Sequence, residues 1–290
     1  MLHDILLTPF LEFAFMRRAL VACTALCLGN SVLGPLLILR RMTLVGDAMA
    51  HAVLPGAAVG FMIAGLSLWS MSLGGVLAAV SVAVIASLIS RGTTQREDAS
   101  FGAVYLVALA IGVLLVSVSG GRIDLLHLLF GTVLAVDNEG LILVAGTSTV
   151  VLFTLALIYR PLIVDCLDRR YLASLGVSGM AVHVAFVVLV VLNLVAGFQV
   201  LGTLMSVGLL VLPSAAARFW TTRLDALFAV ALLFGLCASF GGLLLSYHLD
   251  VPSGPAIVLV AGSLYLISVL GGSCDSILLT RLARLKVKNT

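Results

Sequence analysis

The chain has 290 residues, of which 62% are hydrophobic and 10% charged, with a formal net charge of +3. Soluble domains carry about 25% charged residues, and no polar stretch here is long enough to hide one, so the whole chain, 1–290, reads as a single all-α polytopic membrane domain. The basic residues fall in clusters between apolar runs, a topological pattern, and basic patches interleaved with aromatics are absent, which excludes nucleic acid as a partner. The five cysteines, Cys23, Cys27, Cys166, Cys237 and Cys274, form no CxxC pair, so neither a zinc knuckle nor a redox motif is present.

Residues 1–18 are amphipathic, end in Arg17 and Arg18 and lack a small-residue cleavage site, so the first apolar run is expected to stay as a span. About nine transmembrane helices follow, near 19–39, 47–67, 70–90, 100–119, 140–159, 180–198, 200–217, 224–246 and 254–272. Arg40 and Arg41 separate the first two, "RGTTQRED" (91–98) the third and fourth, "YRPLIVDCLDRRYLASLGVSG" (159–179) the fifth and sixth, and "RFWTTRLD" (218–225) the seventh and eighth. The tail 281–290 carries both lysines, Lys286 and Lys288. Every odd-numbered span is therefore followed by a basic segment, which puts those segments and the C-terminus in the cytoplasm and makes Arg17 and Arg18 outer exceptions. The long outer segment 120–138 contains "IDLLHLLFGTVL", which reads as a short interfacial or re-entrant helix.

Within this apolar setting Asp47 and His51 are costly: an ionisable group inside a membrane costs roughly 2.5–3.5 kcal/mol on insertion scales. The other acids fall in loops or at their edges. Spaced i and i+4, Asp47 and His51 share one helix face, and a carboxylate with an imidazole can hold Zn²⁺, Mn²⁺ or Fe²⁺. Two ligands do not close a site, so other spans, carbonyls or waters must complete it. Pro55 has no N–H for the His51 carbonyl, leaving that acceptor beside the pair. Gly56 and Gly60 have the GxxxG spacing that admits a close neighbour. The competing reading makes Asp47 a helix cap and His51 a hydrogen-bonding group to a neighbouring helix. Pro213 similarly frees the Leu209 carbonyl in a span of small residues that reads as packing. His127 and His248, both near the outer face, are weaker metal candidates, and His183 reads as structural.

The segment 165–179 is too long for a simple turn. Leu167, Tyr171, Leu172 and Leu175 fall at helical spacing and Gly176 is a natural stop, so a short amphipathic helix is expected, docking in a partner's groove or lying on the membrane surface. No Walker A motif exists, its GK[ST] step being missing, so the chain itself is not expected to be an enzyme.

Four stretches, "RRMTLVGDAMAHAVLPG", "DASFGAVYLVALAIGVLLVS", "FQVLGTLMSVGLLVLPSAAAR" and "LDVPSGPAIVLVAG", resemble in order the permease subunits of bacterial ABC importers for manganese, zinc and iron. The resemblance implies a fold related to the vitamin B12 and siderophore importers and an inner-membrane location. It implies as partners a second copy of the chain, cytoplasmic ATPase subunits and an extracytoplasmic metal-binding protein. Asp47 and His51 match that family's DxxxH positions in the ion path. Its coupling helix corresponds to Leu167, Asp168, Arg169, Arg170, Tyr171, Leu172, Ala173, Ser174, Leu175 and Gly176. His127 departs from the small polar residue usual there. No permanently bound cofactor is expected; the cargo is expected to be Zn²⁺, then Mn²⁺, then Fe²⁺. The other function class is a secondary metal transporter working without an ATPase.

Overall fold

The structure, a computed structural model, describes residues 8–65, 67–118, 136–274 and 276–278. After a short helical turn at 8–12, these fold into ten helices: α1 Ala14–Leu39, α2 Thr43–Ala64, α3 Leu68–Gly92, α4 Glu97–Val118, α5 Asn138–Leu167, α6 Arg169–Ser174, α7 Gly179–Leu201, α8 Thr203–Ala217, α9 Leu224–Leu249 and α10 Ser253–Gly271. Eight are long and apolar enough to cross a membrane. The ninth expected span is α8, only 15 residues long, or roughly 22 Å at 1.5 Å per residue.

α8 follows α7 after a single residue, Gly202, at φ 89°. A Cβ on Gly197 would meet Ser206, nine residues on, so the two helices form a hairpin. The left-handed backbone at the turn favours glycine. At the other end of α8, Ile38, Thr43, Ala215, Arg218, Phe219 and Tyr265 line one cavity of ≈ 300 Å³. The turn after α8 is also tied to the end of α10, where the Cys274 N–H donates to the Phe219 carbonyl at 2.7 Å. Arg40 and Arg91 meet at Asp165. The ends of α1, α3, α5, α8 and α10 therefore lie together, and these are the five positions where the sequence places basic segments.

α1 and α7 are the most enclosed helices, whereas α4, α5 and α10 are largely exposed. One apolar cluster joins α2, α3 and α7 with the second half of α1. The other joins the first half of α1 with α8, α9 and α10. Prolines sit inside α1, α2, α5 and α8 without ending them, as neighbouring helices allow in apolar surroundings.

Two boundaries depart from the sequence expectation in ways that bear on the site. α1 begins at Ala14, so Arg17 and Arg18 belong to the helix; Arg17 Nη1 donates to the Leu11 carbonyl at 3.3 Å. α5 continues through Arg160, Pro161 and Asp165 to Leu167, so Asp165 lies in a helix rather than a loop. The loop that looked too long is thereby shortened at its start, leaving α6 and a short link to α7. Residues 1–7, the outer segment 119–135 with His127, and the tail from 279 lie outside the described residues.

Candidate functional site

The chain reverses between α1 and α2 in three residues. The Met42 N–H donates to the Leu37 carbonyl at 2.9 Å and the Arg41 N–H to the Ile38 carbonyl at 3.0 Å, the paired bonds of a Schellman C-terminus. Its left-handed position is Arg41, at φ 57°, where a side chain costs roughly 1–2 kcal/mol. Met42 and Leu37, both fully buried, supply the apolar contact that accompanies this motif. The corner thus aims α2 back into the bundle directly after Arg40.

Asp47 is the fifth residue of α2, and the helix has no acid in its first turn and no side-chain cap. Asp47 is therefore not the cap that the alternative reading required. It is exposed, and His51, one turn on, is half-buried. The His51 ring stacks on Tyr105 of α4, with centroids 6.0 Å apart and planes at 25°. Further along α2, Val59 and Met62 are also exposed. Among the described residues the face that carries this pair is left open at Asp47, while α4 partly covers it at His51.

The opposite side of α2 is sealed. A Cβ on Gly56 would collide with the Gly74 carbonyl of α3, and one on Gly60 would lie 2.5 Å from the Ser70 carbonyl. Ser70 Oγ donates to the Gly60 carbonyl at 3.0 Å. The two glycines hold α2 backbone to backbone on α3, leaving α2 little freedom to turn about its axis. α2 stays helical through Pro55, so the His51 carbonyl has no donor from residue 55. The Pro55 ring packs where Gly112 of α4 has no side chain; a Cβ there would lie 3.1 Å from Pro55 Cδ.

The remaining candidates lie apart from this pair. His248 is exposed on the last turn of α9, its ring against Tyr247. Pro213 is buried in α8. Beside it, Ser214 and Leu210 pack where Gly34 of α1 has no side chain. Among the described residues no group of three or more His, Cys, Asp or Glu could hold a metal ion.

α6 is delimited by Asp168, whose Oδ1 accepts from the Tyr171 N–H at 3.2 Å, and by Gly176 at φ 76°. The expected apolar stripe divides. Leu172 is fully buried and anchors the segment, whereas Leu167 (82% exposed), Tyr171 and Leu175 (each 56%) face outward. Leu167 ends α5 before the extended Asp168, and Leu175 follows the last residue of α6, so these exposed apolar side chains flank and occupy the short helix at the basic end.

Two polar clusters lie outside the sequence-derived candidates. At the basic end, Arg40 Nη2 donates to Asp165 Oδ2 at 2.9 Å, with side-chain exposures of 6% and 1%. Arg91 Nη2 lies 3.6 Å from the same oxygen. Arg40 Nη1 is 3.3 Å from His183 Nδ1, its Nε donates to Cys166 Sγ at 3.2 Å, and its guanidinium lies 4.8 Å over the Phe186 ring. Four helix ends meet there. The carboxylate thus lies inside α5, contrary to the expectation that placed it in a loop. Nothing in the residues around 165 pairs it with Arg40, since its partners come from α1 and α3. At mid-bundle, Asn193 Nδ2 donates to Asn30 Oδ1 at 2.8 Å, tying α7 to α1, and Ser148 Oγ of α5 is 3.5 Å from Asn193 Oδ1. Here a signal was available: amides in the middle of apolar spans ask for partners.

Comparison with known proteins fits this architecture. The chain is 34% identical over 256 residues to a manganese transport system membrane protein MntC of Halalkalibacterium halodurans, covering 88% of this chain and 86% of that protein. It is 32% identical to the manganese import system permease protein ScaB of Streptococcus parasanguinis, covering 89% and 90%. It is 29% identical to a probable iron transport system membrane protein of Haemophilus influenzae, covering 92% and 93%. Among solved structures, PsaBC from Streptococcus pneumoniae in complex with Fab superposes with a TM-score of 0.82 at 29% identity, over 97% of this chain and all of that one. An inward-facing metal-chelate type ABC transporter shares the fold, with a TM-score of 0.66 at 19% identity over 86% and 84%. Residues 12–272 match the ABC 3 transport family, and the chain belongs to that family.

Proposed function

We propose that this permease imports divalent transition-metal ions as a pair of copies, driven by separate cytoplasmic ATPase subunits and supplied by an extracytoplasmic metal-binding protein. The observation that carries the reading is the position of Asp47 and His51, one turn apart on α2, with Asp47 exposed among the described residues. A carboxylate facing lipid is disfavoured, so protein or water must cover it. A second copy brought against the same face supplies a second pair, giving four ligand side chains, with the His51 carbonyls beside them. Oxygen and imidazole donors together suit Mn²⁺, Fe²⁺ and Zn²⁺ and do not rank Zn²⁺ first. Relatives named for manganese and iron favour Mn²⁺ as the cargo.

The basic end is the cytoplasmic end by the positive-inside rule, and the exposed Leu167, Tyr171 and Leu175 there are the surface offered to the ATPase. The apolar residues of a short helix with an anchored base suit a groove on a protein partner.

The test is uptake into vesicles reconstituted with the chain, its ATPase and its binding protein, using labelled Mn²⁺ and Zn²⁺. ATP-dependent uptake that saturates with Mn²⁺ at lower concentration than with Zn²⁺ is expected. Equal uptake by the chain without an ATPase establishes a secondary transporter instead.

A further inference from the structure

In the importer just proposed, α6 faces the ATPase and α2 carries Asp47 and His51, yet the two are not among the packed helix pairs. What lies between them is the sealed cluster at Asp165. This residue is three positions before Asp168, the residue that caps α6. Its carboxylate is held by Arg40, the last residue before the left-handed corner that starts α2. Asp47 follows Arg40 by seven residues, and α2 is locked to α3 by the Gly56–Gly74 approach. Arg91, at the end of α3, reaches the same Asp165 oxygen. One carboxylate at the root of α6 therefore grips the end of α1, from which the corner leads into α2, and the end of α3.

We propose that Asp165, through Arg40 and Arg91, is a positioning residue that transmits displacement of α6 to the α2–α3 unit and hence to Asp47 and His51. The geometry favours a mechanical link over a purely stabilising one. A buried ion pair is a poor stabiliser compared with apolar packing of the same shape. It is, however, directional: the planar Arg40 guanidinium holds α5 at several points, donating to Asp165 Oδ2, the Leu162 carbonyl and Cys166 Sγ, which fixes the orientation of the two backbones. The corner after Arg40 is only three residues long and is clamped by the Leu37–Met42 contact, so a pull on Arg40 is delivered to α2 with little slack. This inference rests on the importer reading above.

The experiment compares ions moved per ATP hydrolysed in vesicles holding the whole complex, with wild type, Asp165→Asn and the double variant R40Q/D165N. Asp165→Asn keeps the side-chain shape and one acceptor oxygen. The double variant also removes the Arg40 charge that the single one leaves without its carboxylate. Both are expected to assemble with the ATPase and hydrolyse ATP at the wild-type basal rate, while ions moved per ATP fall at least fivefold. A stabilising role predicts something different: the double variant recovers thermal stability and, per assembled complex, the wild-type ratio. A wild-type ratio in either variant overturns the proposal. So does failure of both to assemble, since a pair needed for folding requires no coupling role. Absence of ATP-dependent uptake in wild type itself refutes the importer reading and leaves the Asp165 result a separate question.

Discussion

Asp47 with His51 and Asp165 with Arg40 are both ionisable pairs placed in an apolar bundle, and their surroundings are opposite. Asp165 is enclosed, with two guanidinium groups on one oxygen. Among the described residues Asp47 is exposed on an open part of its helix face, and the His51 ring stacks on Tyr105. The enclosed pair spends its charge inside the fold; an open one has little to contribute to the fold of a single copy. The contrast separates residues that hold the bundle in register from residues available to a passing ion, although all four cost free energy when removed from water.

The contrast can be broken by substitution. Asp165→Ala leaves Arg40 and Arg91 facing a cavity, and should destabilise the protein by about 3–5 kcal/mol in thermal or denaturant unfolding; a loss under ~1 kcal/mol would place the pair in the same class as Asp47. Gly56→Val forces α2 away from α3 and should cost about 1–3 kcal/mol, with uptake falling further than stability because Asp47 and His51 shift with α2. Asp47→Asn should change stability by less than about 0.5 kcal/mol yet lower Mn²⁺ uptake at least tenfold, and His51→Ala should do the same. Unchanged uptake in both returns them to a structural role. The smallest effect is expected at the end of α6: Gly176→Ala, at φ 76°, should cost about 1 kcal/mol and lower the affinity for the ATPase, measured by pull-down, without altering metal binding.

How much was legible follows from the range of each interaction. The spans could be read because each needs only its own apolar run, and the Asp47–His51 face because i and i+4 neighbours are set by helix geometry alone. The Gly56–Gly60 spacing announced a close neighbour but not that the neighbour is α3. The end of α5 was missed by eight residues, since Arg160 and Asp165 look like loop residues until Arg40 and Arg91 are brought to the carboxylate. The short α8 could not be told from a full span, because its partner in the hairpin is decided at a single residue, Gly202.

By itself, then, the amino-acid order determined an all-helical membrane chain, the alternation of its basic segments and one polar face on α2, since these depend on composition and on contacts within a turn or two. Only the tertiary structure decided which face of α2 is sealed and which is open, and that Asp165 is gripped from α1 and α3. Those outcomes depend on backbones and charges from distant parts of the chain meeting within a few ångströms, and nothing local in the sequence encodes that meeting.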